Sequence, residues 1–154
     1  MRVDKMLTPT RVARAGMTVR EVFEECSRAN TPGLPFCDDD GQISGRVTLK
    51  HILKKSCLPD YLVGMARVLG EQLSGVQDMV TKSSEVLDSP VENFVQDAHL
   101  SLTSGSSTVK ALAMMEQSDT SYIYVVDEGQ YKGVVTIHSL AETLASYDNP
   151  PAND

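Results

Sequence analysis

The chain repeats itself, and that constrains its fold more than any other feature. Thr18-Val19-Arg20 recurs as Thr108-Val109-Lys110, an offset of 90 residues. Leu34-Pro35-Phe36-Cys37-Asp38 recurs as Ile123-Tyr124-Val125-Val126-Asp127, an offset of 89. Gly41-Gln42-Ile43-Ser44-Gly45-Arg46-Val47-Thr48 recurs as Gly129-Gln130-Tyr131-Lys132-Gly133-Val134-Val135-Thr136, an offset of 88. Two one-residue gaps, both in stretches that read as loop or turn, absorb the drift. Two ordered copies of one small unit are the simplest origin of such a pattern. A unit this short has little core of its own, so each copy has to bury its apolar face against the other.

Each copy carries the same local signals. Thr18 followed by Glu21 is a capping box, and Val19, Val22, Phe23 and Cys26 continue at helical spacing until Pro32 and Gly33. An apolar strand at 34–37, the turn Asp38-Asp39-Asp40-Gly41 and a strand at 42–47 predict a hairpin. Thr48 then caps a closing helix carrying Leu49, Ile52 and Leu53. The second copy predicts helix 108–117, with Ser107 or Thr108 as its cap, strand 122–126, turn 127–130, strand 131–135 and helix 137–145. Short extended pieces at about 11–14 and 99–103 precede the first helix of each copy. The unit is β-α-β-β-α, twice over, an α+β fold whose two halves pack by their sheets about a pseudo-twofold axis.

These motifs resemble the CBS domain, whose signature runs from an apolar strand and acidic turn to a closing Gly-x-Val-Thr. The first copy offers Leu34 to Gly41 and then Gly45-Arg46-Val47-Thr48-Leu49-Lys50-His51; the second offers Tyr124 to Asp127 and then Gly133-Val134-Val135-Thr136-Ile137-His138-Ser139. Val3-Asp4-Lys5-Met6 and Val91-Glu92-Asn93-Phe94 look like the short helical entry before each domain. The resemblance covers 1–57 and 89–147. Between them, 58–88 reads as a helical linker, with Leu62, Met65, Val68, Leu69, Leu73, Val76, Met79 and Val80 at threes and fours over 60–81. The tail, 148–154 with Pro150 and Pro151, reads as frayed.

The resemblance implies a paired regulatory module that performs no chemistry. It implies a cleft between the repeats that takes AMP, ADP, ATP or S-adenosylmethionine, and association of modules, here expected as a homodimer. In the family pattern a Thr at the strand end and an Asp three residues later grip the nucleotide. Both threonines are present, as Thr48 and Thr136, whereas His51 and Ser139 stand at the Asp positions. His51 can meet a ribose hydroxyl or, when protonated, a phosphate; Ser139 offers hydrogen bonds without charge. Replacing a charged bidentate contact costs on the order of 1.5–3 kcal/mol. Arg46, Lys50 and His138 lie beside the motifs and can supply positive charge. Pro35 and Tyr124 occupy matching strand positions, where backbone groups can read an adenine edge. The first set, around Thr48, is favoured because Arg46 and Lys50 provide charge that the chain elsewhere lacks. Two functions stay open: a nucleotide sensor, and an interaction module that docks a partner without any ligand.

Composition narrows the partners. A formal net charge of −7 disfavours nucleic acid and anionic membranes. No apolar run approaches the roughly 20 residues of a membrane span, and the opening MRVDKMLTP lacks a signal-peptide core, so a cytoplasmic chain is expected. Cys26, Cys37 and Cys57 fit no metal spacing, and Cys26 and Cys37 fall on apolar faces. No metal site and no catalytic residue is predicted. The Asp38-Asp39-Asp40 run reads as a hairpin turn, Ser104 to Ser107 as a loop, and Met114-Met115 as core.

Overall fold

In the computed structural model, residues 1–58, 83–98 and 100–148 are described. The linker stripe at 60–81 and the tail beyond Asp148 lie outside them, as does His99. In the first repeat, β1 (Ala13–Arg14) leads to α1 (Val19–Ala29), the hairpin β2 (Gly33–Cys37) and β3 (Ile43–Thr48), then α2 (Leu49–Cys57). A short helix, α3 (Ser83–Leu87), precedes the second repeat. There β4 (Ser101–Leu102), α4 (Thr108–Gln117), β5 (Tyr122–Asp127), β6 (Gln130–Thr136) and α5 (Ile137–Asp148) follow in the same order. The sheets are topological copies, β1-β2-β3 and β4-β5-β6, each with one parallel and one antiparallel pairing. This is the α+β pair of β-α-β-β-α units that the repeat predicts.

Local chemistry explains the elements. Thr18 closes a full capping box with Glu21, its hydroxyl accepting from the Glu21 N–H while the Glu21 carboxylate accepts from the Thr18 N–H. In α4 the cap is Ser107, which accepts from the Lys110 N–H at 3.1 Å. The helices therefore superpose at an offset of 89, not the 90 that the Thr-Val pair suggests. Val109 consequently matches Arg20 rather than Val19, and it is 76% exposed. The first helix ends at Ala29, two residues short of the one that precedes Pro32, because Asn30 takes the left-handed conformation, φ 52°. In the first hairpin Asp38 accepts from the N–H groups of Asp40 and Gln42. The second hairpin turns on Glu128 and Gly129 alone, both at positive φ. The strands thus reach two residues further than a turn at 127–130 allows.

Strand alternation sends successive side chains to two different cores. Leu34 and Val47 join Val19, Val22, Cys26 and Ile52 in the first; Ile123, Val125 and Val135 join Leu102, Ala111 and Met115 in the second. Tyr122, Tyr124 and Val134 point the other way and pack with Ile43 of the first hairpin. A fully buried aliphatic side chain of this kind contributes about 1.5–3 kcal/mol.

The entry segments are exchanged between the repeats. Val3 and Met6, from the chain start, complete the second core, while Val86, Val91 and Phe94 complete the first. Reciprocal backbone bonds fix the exchange: Thr8 pairs with Val134 of β6, and Gln96 with Arg46 of β3. Two glycines make room for it. A Cβ on Gly45 would meet Gln96 O at 2.7 Å, and one on Gly133 would meet Thr8 O at 2.6 Å. No helix among the described residues is long and apolar enough to cross a membrane.

Candidate cleft between the repeats

The pseudo-twofold axis generates two clefts, each flanked by the end of one hairpin. The first, of about 510 Å³, is bordered by Arg46 and Thr48 of β3, Lys50, His51 and Lys54 of α2, and Gln96. Its far wall comes from the other repeat: Met115 and Glu116 of α4, then Asp119, Thr120, Ser121 and Tyr122. An inner pocket of about 280 Å³ shares Arg46, Thr120 and Tyr122 with it and adds Asp97, Ala98, Leu100 and Tyr124. The structure therefore gathers Arg46, Thr48, Lys50, His51 and Tyr124 around one connected space.

Backbone order positions these groups. Thr48 ends β3 and caps α2, its hydroxyl accepting from the His51 N–H at 3.1 Å. That turn aims the first N–H groups of α2 and the side chains of Lys50 and His51 toward the cavity. Lys54 stands one turn further along the helix. Among the described residues none of Arg46, Lys50, His51 and Lys54 forms an ion pair. Lys55, by contrast, is engaged with the Asn93 carbonyl and the Phe94 ring. Burial, and then the positive charges of Lys55, Lys54 and Arg46, hold the His51 imidazole below its ordinary value, so it is neutral near pH 7. Among the described residues, two buried polar atoms of residues lining this cleft have no hydrogen-bond partner: Arg46 Nε, and the Tyr122 hydroxyl, which lies over Gly33. Tyr122 is only 4% exposed, and burial pushes its phenol well above its ordinary value.

The second cleft, of about 380 Å³, is bordered by Thr136, Ile137 and His138 with Cys26, Ser27, Asn30, Thr31, Pro32, Leu49 and Ser121. Strand register matches Thr136 to Thr48 and Val134 to Arg46, so an aliphatic side chain replaces the guanidinium. Ser139 is spent on its own helix: its hydroxyl accepts from Thr136 N–H and donates to Thr136 O, each at 3.0 Å. His138 contacts Glu142 at 3.4 Å. Pro35, opposite Arg46 in the ladder, is fully buried, and neither Pro35 nor Ser139 borders these three cavities.

Next to Cys26, which borders the second cleft, a buried carboxylate is satisfied within the protein. Glu25 is buried, accepts from the Arg11 N–H and is clasped by Arg28, whose guanidinium also reaches the Pro9 carbonyl. The Arg28 hydrogen bond holds the Glu25 carboxyl below its ordinary 4.5. Thr10 bonds Tyr131 at 2.5 Å, which ties the same segment to β6. Motif reading missed this buried carboxylate, and it missed the far wall of the first cleft. The signal for the wall is present in the repeat itself: Thr120-Ser121 is the copy of Thr31-Pro32, and each pair faces the other repeat's hairpin.

Comparison with known proteins agrees with the geometry. The family model of the CBS domain matches twice, over residues 3–57 and 89–146. Among curated proteins, no sequence matches the chain. Solved structures with this fold include the CBS domain of a CBS domain-containing membrane protein from Sphaerobacter thermophilus, 18% identical with a TM-score of 0.64. That alignment covers 92% of this chain and 86% of the other. A proposed archaeal homologue of γ-AMPK from Methanocaldococcus jannaschii, protein MJ1225, is 19% identical at TM-score 0.65, over 93% of this chain and 47% of that one. The CBS domain pair of protein MJ0100, solved in complex with 5′-methylthioadenosine and S-adenosyl-L-methionine, is 14% identical at TM-score 0.64, over 96% and 98%. With its repeat doubly matched and its two three-stranded sheets paired across two clefts, the chain belongs to the CBS domain family, as a tandem CBS pair.

Proposed function

We propose that this CBS pair is a regulatory module that binds an adenine nucleotide in its first cleft. The observation that carries the reading is the union of a basic wall, a helix N-terminus and an inner pocket around Arg46. Phosphate suits the α2 end, where free N–H groups and cationic side chains converge. A flat aromatic base suits the inner pocket, where Tyr122 and Tyr124 offer rings and Arg46 and Asp97 offer a donor and an acceptor. The adenine-containing ligands of the MJ0100 pair support the same class. The role is regulatory rather than catalytic. The thiol at the second cleft, Cys26, is buried and pushed up to about 12, unsuited to nucleophilic work.

Thermal unfolding with AMP, ADP, ATP and S-adenosylmethionine tests this. A ligand at 100 times its dissociation constant stabilises the fold by about 2.7 kcal/mol, roughly 5–10 °C for a chain of this size. No shift with any of the four refutes the nucleotide reading.

A second reading, an interaction module, draws on a different surface. Val109 and Leu112 of α4 and Ile137, Leu144 and Tyr147 of α5 are exposed apolar side chains on the second repeat. We propose that they help to seal a homodimer. Light scattering should give twice the 16.8 kDa of one chain; a monomer at micromolar concentration rejects the dimer.

A further inference from the structure

The first cleft is polar in a specific sense: one wall is basic and the other acidic. Arg46, Lys50, His51 and Lys54 stand on one side, Glu116 and Asp119 on the other. Lys50 and Lys54 are four residues apart on α2, about 6 Å along the axis at 1.5 Å per residue. With three cations, Arg46, Lys50 and Lys54, on one wall, a chain of two or three phosphoryl groups gains more charge-assisted contacts than a single phosphate does. The carboxylates opposite accept hydrogen bonds from ribose hydroxyls, and they repel an anion that strays across. That fixes an orientation, with phosphoryl groups along α2 and the sugar toward α4. Arg46 and Tyr122 line both this cleft and the inner pocket, so a ligand that spans the two touches both residues.

We propose that the first cleft is a polyphosphate seat linked to proton uptake: it takes a nucleoside di- or triphosphate in preference to AMP or S-adenosylmethionine, and it takes up a proton with the anion. The proposal rests on the nucleotide reading above and adds the ligand's charge and its pH dependence.

The coupling follows from what surrounds His51. Lys50, Lys54 and Lys55 on its own helix and Arg46 on β3 oppose its charge; Glu116, Asp119 and Tyr122 face it across the cavity. Burial first, and these cations after it, disfavour the charged form, so the imidazole is neutral before an anion binds. A polyphosphate reverses the local field, and the imidazole then gains a proton and donates to a phosphoryl oxygen. The bound state has the higher proton affinity of the two. Binding is therefore tightest at low pH and weakens as pH rises through the value that His51 has with the ligand in place.

Calorimetry of the full chain tests it, with ATP, ADP, AMP, S-adenosylmethionine and inorganic tripolyphosphate at pH 6 and pH 8, in buffers of different ionisation enthalpy. ATP should bind tighter than AMP by about tenfold or more. Proton uptake should accompany ATP and disappear in His51→Gln, which separates the imidazole from titration of the phosphate itself. Lys50→Ala with Lys54→Ala should bring ATP down to the AMP value and move AMP by less than about threefold. Both lysines are exposed, and circular dichroism confirms that the variants fold. Equal affinity for AMP and ATP, or uptake unchanged in His51→Gln, overturns the proposal and leaves the nucleotide reading standing. Tripolyphosphate binding as tightly as ATP, with the same uptake, sustains the seat and sinks the adenine part. Silence from all five ligands overturns both.

Discussion

The two clefts share a scaffold and differ most in charge, at four positions of the hairpin end and the helix that follows it. Arg46, Lys50, His51 and Lys54 in the first correspond to Val134, His138, Ser139 and Glu142 in the second. Position for position, an arginine becomes a buried valine, a lysine a histidine, a histidine a serine, and a lysine an acid. Backbone geometry hardly distinguishes them. Each hairpin carries a register shift at the same place, each Thr caps the helix after it, and each glycine opposite the shift admits an exchanged segment. The lesson is that the fold supplies two equivalent cavities, and a handful of side chains decides which one is built to receive an anion. Next to the second, a buried carboxylate, Glu25, is satisfied internally by Arg11 and Arg28.

The largest effects should come from the glycines that admit the exchanged segments, and they should be unequal. Gly45→Ala drives a Cβ against Gln96 O and Val95, an overpacking worth about 1–3 kcal/mol. Gly133→Ala does the same against Thr8 O, and its φ of +145° adds strain, a further cost of about 1–3 kcal/mol. Urea unfolding should rank Gly133→Ala below Gly45→Ala, and both below the parent chain. The reverse order, or no loss in either, breaks the symmetry argument for the exchange.

Next in size, the capping threonines should separate stability from binding. Thr48→Ala and Thr136→Ala each remove an N-cap acceptor, at a cost of about 1 kcal/mol. Only Thr48→Ala should also weaken nucleotide binding, because Thr136 faces the cleft without cations. Equal loss of affinity in both variants would make the clefts functionally alike.

The smallest difference should appear in acid. Glu25 has a folded-state value below its ordinary one, held there chiefly by Arg28. Its contribution to stability is therefore complete above about pH 4.5 and lost as pH falls through the lower folded value. Arg28 is exposed, so screening keeps the effect modest. Glu25→Gln should flatten the stability profile below pH 4.5 and leave neutral pH binding at the first cleft unchanged. An unaltered acid profile would mean that the Glu25 carboxylate is not held by charge.

Much of this was legible in the sequence, for identifiable reasons. A repeat constrains order and topology at once, and turn residues such as Asp38 and Gly129 mark hairpins by local chemistry. Thr18 and Glu21 announce a helix start because the capping box involves only neighbouring groups. What stayed hidden is long-range. The spacing of Val3 and Met6, or of Val91 and Phe94, says that they are buried, never in which core. The sequence offers both Ser107 and Thr108 as the second cap; Ser107, the better N-cap, takes it, which leaves Val109 exposed. The basic wall could be read from Arg46 and Lys50 beside a motif. Glu116, Asp119 and Tyr122 could not, since they come from the other repeat and meet the wall only after the sheets pair.

Calorimetric titration of ATP into the parent chain, Arg46→Ala and Thr136→Ala tests the central claim most directly. A single functional cleft predicts one ATP per chain, affinity reduced about tenfold or more in Arg46→Ala, and affinity unchanged in Thr136→Ala. Two ATP per chain, or binding that survives Arg46→Ala and fails in Thr136→Ala, would contradict it.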